Sequence, residues 1–116
     1  MAAQQFRLNA SSLTYAQQDG VITVGINLEG EAGGFGPTLG TLSATPANAN
    51  QGRWQWVGVS FPGSGDSKTG LGSGAFRKIS STAWQLDGDV DISGGDRLRL
   101  DAEFDLMERV FAGQLS

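Results

Sequence analysis

The residues able to do chemistry in this chain are few, and what is missing narrows the field most. There is no histidine and no cysteine among the 116 residues. That removes Ser-His-Asp and Cys-His nucleophiles, histidine-based zinc sites, disulfides and thiol redox chemistry. Acid–base work would fall to carboxylates, Tyr15, Lys68, Lys78 or the arginines. Glu29 and Glu31 precede the glycine-rich stretch Gly33 to Pro37, where a mouth could open, but their spacing is that of any exposed strand end. No residue stands out as catalytic, so the catalytic set is unknown.

Two arginines stand apart from the other charges. Arg77 shares the parity of Ala75 and Ile79, and Arg109 that of Phe111 and Leu115. Facing inward, each would need a carboxylate or an anionic ligand, because a lone buried charge is costly. A local phase shift that leaves them in solvent is the alternative. Arg77 is carried forward as an anion anchor.

Two metal or phosphate motifs fail on their own terms. Asp87, Asp89 and Asp91 have the spacing that opens an EF-hand loop, but Ile92 and Leu98 occupy the positions that need glycine and a bidentate glutamate. Alternate acids on the wet face of a strand explain the pattern without metal. The stretch Gly63-Ser64-Gly65-Asp66-Ser67-Lys68-Thr69 superficially evokes a phosphate loop, yet no glycine immediately precedes Lys68 and a strand, not a helix, should follow. It reads as a hairpin loop. Neither a metal nor a cofactor is expected.

The most informative stretch is 52–61, Gly-Arg-Trp-Gln-Trp-Val-Gly-Val-Ser-Phe. In a strand, Trp54 and Trp56 point to one side, while Val57, Val59 and Phe61 take the opposite parity. The strand is either apolar on both faces or re-phased by a bulge. Gly70, Gly72 and Gly74 alternate on one face of another strand. Glycine weakens a strand, so three in phase suggest a bare trench on which the tryptophan rings lie. The rings could simply fill the core over that trench, or trench and rings together could make a cavity or a sugar-stacking platform. Trp54, Trp56, Gly70, Gly72, Gly74 and Arg77 are therefore the expected ligand-binding residues.

The elements that must position these residues have a period of two. Leu98, Leu100, Ala102, Phe104 and Leu106 alternate with Arg97, Arg99, Asp101, Glu103 and Asp105. Such segments are antiparallel strands with one wet face. Trp84, Leu86, Val90 and Ile92 behave likewise, with Gly88 on the inward side, where a bulge or an Asp-Gly turn would fit. Near the N-terminus, Phe6, Leu8 and Ala10 are in one phase and Leu13 and Tyr15 in the other, which implies a mid-strand bulge. Turn signals cut the chain into about eight strands, at 5–16, 21–30, 38–45, 53–61, 70–79, 83–92, 97–106 and 109–115. The last could instead begin as a short helix near Met107.

The expected fold is therefore all-β: one domain over 1–116, a small antiparallel barrel of about eight strands, with a two-sheet sandwich as the alternative. The absence of Lys or Pro guarding the strand edges favours a barrel, which has no edges.

Net charge is −4, but 87–116 carries eight acids against Arg97, Arg99 and Arg109, a net of −5, and the remainder is net +1. No basic cluster could follow a phosphate backbone, so nucleic acid is not an expected partner. No apolar run approaches the ~20 residues of a membrane span, and no membrane partner is expected. The N-terminal residues show no signal-peptide pattern, which suggests a cytoplasmic location. Non-enzymatic binding of a small, partly apolar ligand in a barrel is the leading functional expectation. A carbohydrate-binding, lectin-like module and a homo-oligomeric interaction protein are the alternatives, with a carboxylate-using isomerase or cyclase last.

Overall fold

Alternation of apolar and polar residues closes on itself in the computed structural model, which describes residues 3–116. Eight antiparallel strands form a closed barrel in the order of the sequence. They are β1 (Gln4–Gln18), β2 (Val21–Ala32), β3 (Pro37–Thr45), β4 (Gln51–Ser60), β5 (Lys68–Ser80), β6 (Ala83–Ile92), β7 (Asp96–Asp105) and β8 (Val110–Leu115), with one 3-10 turn at Gly33–Phe35. The barrel replaces the sandwich alternative: β1 pairs with β8 as well as with β2, so no sheet edge remains around the lower wall.

Leu98, Leu100, Ala102 and Phe104 of β7 are buried, and the intervening Arg97, Arg99, Asp101 and Glu103 are exposed. Apolar side chains of β7 thus face the lumen and charges coat the outside of β6 and β7. No helix of the described residues is long and apolar enough to cross a membrane.

Local chemistry sets the connections and irregularities. Asp19 and Gly20 both have positive φ, 54° and 82°, the backbone of a two-residue hairpin turn whose twist matches the flanking strands. The register of β1 on β2 shifts between Ala10 and Ser12, so Phe6 and Leu8 before the bulge and Leu13 after it can all face the lumen. By contrast β4 pairs with β3 and β5 without a shift. Its apolar residues therefore lie on both faces. Around Gly88 the β5–β6–β7 register is regular, with neither bulge nor turn; the one shift between β5 and β6 falls at Lys78/Ser80. The chain from Leu106 to Arg109 is a turn rather than the start of a helix. There the Asp105 carboxylate accepts from the backbone N–H groups of Met107 and Glu108 at 2.9 and 3.2 Å, a local bond that competes with helix formation.

The barrel has two unlike ends. One carries the chain termini and the β2–β3, β4–β5 and β6–β7 connections; the other carries the β1–β2, β3–β4, β5–β6 and β7–β8 connections. At the second end β1 outruns its neighbour. Its pairing with β8 stops at Asn9 and Val110, followed by one bond from the Ala10 N–H to the Arg109 carbonyl at 2.8 Å. From Ser12 to Gln18, β1 pairs with β2 alone. The resulting hairpin projects past the wall, in a molecule 44 Å long and about 25 Å wide.

Candidate functional site

Trp54 lies across the middle of the lumen and divides it. It is 1 % exposed, and its indole N–H donates to the Asp87 carbonyl at 3.0 Å. The ring rests on Gly72, Gly74 and Gly88: a methyl carbon added at Gly72 would lie 3.1 Å from it, and one added at Gly74 or Gly88 would lie 2.8 Å away. The wall across β4, β5 and β6 is thus bare where the largest side chain needs room. Trp56 does the same one step toward the termini, packing on Gly40 and Gly58 with its indole nitrogen near Gly70.

On the terminal side of Trp54 little space is left. Phe6 and Phe111 meet edge to face at 5.1 Å, and Phe35 of the 3-10 turn reaches the same chamber. That turn is held by the Gly34 N–H donating to the Gln4 side chain at 2.7 Å, and by positive φ at Gly33 and Gly36. What remains, against Leu8, Trp56, Gly70, Val90, Leu100 and others, is about 60 Å³.

On the hairpin side the lumen widens into a cavity of about 420 Å³. Its wall is Val24, Ile26, Leu42, Ala44, Phe76, Trp84, Leu86, Phe104 and Leu106; Leu13, Tyr15 and Ile22 line it from the projecting hairpin. The volume falls within the range of ~300–1,000 Å³ typical of small-molecule sites. Ala47 and Asn48 of the β3–β4 connection also line it. That connection is pinned at three points: Ala47 N–H to the Ile22 carbonyl at 2.7 Å and Lys78 N–H to the Asn50 carbonyl at 2.7 Å, and the Trp84 indole N–H to the Ala49 carbonyl at 3.3 Å. The polar groups that the lining side chains offer are the Tyr15 hydroxyl and the Asn48 amide, since the Trp84 indole N–H is spent on Ala49.

The residues expected from the sequence are therefore dispersed. Trp54, Gly72 and Gly74 form the partition. Trp56 and Gly70 line the small chamber. Arg77 is on the outer face and exposed, together with Leu71, Ser73, Ala75 and Ile79. Parity misled here because the inner face of β5 is mostly glycine, so the outer face looked like the apolar one. Arg109 is also exposed, in the β7–β8 turn with φ 58°; the turn breaks the parity it would share with Phe111. Glu29 and Glu31 point outward and are exposed.

Outside the barrel, Asp87, Asp89 and Asp91 face arginines. Arg97 grips Asp91 through two bonds of 2.7 and 3.2 Å, and Arg99 stands 3.8 Å from both Asp87 and Asp89. The hydrogen bond from Arg97 holds the Asp91 carboxyl below its ordinary pKa. Among the described residues no group of three or more acidic side chains is placed to hold a metal ion.

The cavity-lining set Tyr15, Phe76, Trp84 and Phe104 was not singled out from the sequence. Each was visible only as an inward residue of its own strand, and the gathering depends on barrel closure. No family model matches this chain, and neither does any curated protein or solved structure.

Proposed function

We propose that this barrel binds a small, largely apolar molecule in the cavity at its hairpin end. One observation carries the reading: a lumen otherwise filled to a residue of about 60 Å³ widens to about 420 Å³ on one side of Trp54, behind a largely apolar wall. Apolar surface of this kind favours a hydrocarbon or aromatic ligand, and the Tyr15 phenol and Asn48 amide orient it. The lining holds a single titratable side chain, Tyr15, so the reading is one of binding rather than turnover. A sugar platform has less support, because Trp54 is buried and Trp56 and Trp84 are half-buried.

A second reading concerns the outside of the same barrel. Leu39, Val57, Phe61 and Leu71 are 48–60 % exposed, and Val57 pairs directly with Leu71 across β4 and β5. A second copy of the chain suits this face. Asp91, paired with Leu71 across β5 and β6, borders this face with its carboxylate held by Arg97.

Native mass spectrometry of the purified protein reports retained ligand and subunit number together. Titration with the neutral dye Nile red then locates the site. Saturable binding that quenches Trp84 and is abolished by Ala44→Phe is expected. Binding that ignores Ala44→Phe in a folded variant, or no saturable binding at all, overturns the cavity reading.

A further inference from the structure

We infer that the ligand is a singly charged carboxylate amphiphile, its chain in the cavity and its head on Lys78. This rests on the cavity reading and adds the class of molecule. Lys78 pairs with Trp84 across β5 and β6, so both side chains rise on the inner face of the wall. Among strand residues at the hairpin end, Lys78 is the one charged side chain that the registers place inward; Arg53, Arg77 and Asp105 all take the outer parity.

The amine is held but not neutralised. Lys78 Nζ lies 5.6 Å from the centre of the Trp84 ring, and Trp84 lines the cavity. Ion pairs among the described residues occur only at Arg97 and Arg99. Asp101 and Asp105 of β7 take the outer parity, on the far side of the wall from the Lys78 amine. An aromatic face is a weaker partner for an ammonium than a carboxylate, and it leaves water as the acceptor for the N–H donors. The side chain is half-buried, and a chain entering the cavity would remove more of its water. A carboxylate at the end of that chain supplies the missing acceptor. One inward cation matches one negative charge, which favours a carboxylate over a doubly charged phosphate.

The test uses cis-parinaric acid and its methyl ester, which share a chain and differ in charge, on the wild-type protein and on Lys78→Met and Lys78→Arg. Methionine keeps the unbranched stem and removes the charge. The acid is expected to bind wild type at least tenfold more tightly than Lys78→Met. The ester should bind both alike, and Lys78→Arg should restore most of the acid's affinity. Equal binding of acid and ester to wild type, unaffected by Lys78→Met, overturns the anchor and leaves the cavity standing. Loss of both probes in a folded Lys78→Met protein makes the residue structural and also overturns it. Failure of both probes on wild type overturns the cavity reading, and the anchor with it.

Discussion

The two halves of the lumen share the same eight strands, yet one is packed and the other hollow. On the terminal side, Phe6, Phe35, Trp56 and Phe111 converge and leave about 60 Å³. On the hairpin side, Phe76, Trp84 and Phe104 stay at the wall and leave about 420 Å³. Part of the difference lies in which inner positions are bare. Glycines at 40, 58, 70, 72, 74 and 88 let Trp54 and Trp56 swing across the middle and the terminal half. Toward the hairpin, the Phe76 ring lies back over Gly52, its partner on β4, instead of reaching across the axis. The rest is strand length. β8 has six residues while β1 has fifteen, so the hairpin flanks an opening that no eighth strand closes. Barrels of this strand number are often filled by their own side chains; here that holds for one half only.

Removing the partition is the most severe way to break the contrast. Trp54→Ala would delete the largest fully buried side chain and join the two spaces. A loss of about 3–5 kcal/mol is expected in urea unfolding, the usual range for an aromatic residue truncated in a core. The Asp87 carbonyl would also lose its indole donor. A loss below about 1 kcal/mol would mean that the middle of the barrel is not packed as described and that the two ends are one space.

Two glycines on the same face of the same strand separate the partition from the packed end. A methyl at Gly74 would run into the Asp87 backbone carbonyl and lie 2.8 Å from the Trp54 ring. Backbone cannot step aside cheaply, so Gly74→Ala should cost about 1–3 kcal/mol. At Gly70 a methyl would sit 3.5 Å from Trp56 and Val90 and 3.6 Å from Ile92. Those are ordinary contacts, and the small space that remains there admits a methyl group. Gly70→Ala should therefore be neutral or stabilising by up to about 1 kcal/mol, since alanine narrows the unfolded ensemble. Thermal or urea midpoints of the pair would settle the order; the reverse order would sink the assignment of Trp54 to the Gly72–Gly74–Gly88 wall.

Much of this was legible in the chain because strand period is a local signal. The all-β class, the strand count, the bulge near Ser11 and the meeting of tryptophans with glycines all follow from parity and turn chemistry. The candidate site did not follow. A cavity is a volume left over, and it depends on which rings from distant strands fail to reach the axis; Tyr15, Phe76, Trp84 and Phe104 come from four strands. Arg77 shows the opposite failure. Parity compares the two faces of a strand, and on β5 the buried face is mostly glycine, so Leu71 and Ile79 outweighed it although both are exposed. Lys78, one residue on, shares its parity with Phe76 and otherwise only with glycines, Lys68 and Ser80 along β5.

The outer wall provides the mildest test, because its charges should matter to neither half of the lumen. Asp91 and Arg97 are both well exposed, and exposed pairs contribute little to stability. The folded-state pKa of Asp91 is lowered, first by the Arg97 hydrogen bond. Its contribution is therefore present above the unfolded carboxylate value of about 3.9 and is lost as pH falls through the lower folded value. Arg97→Gln should move the Asp91 carboxyl resonance in an NMR titration back toward that ordinary value, while the melting temperature at pH 7 and Nile red binding stay as in wild type. A change in dye affinity would show that the charged wall and the cavity are coupled. The hollow half would then depend on β6 and β7 for more than its lining.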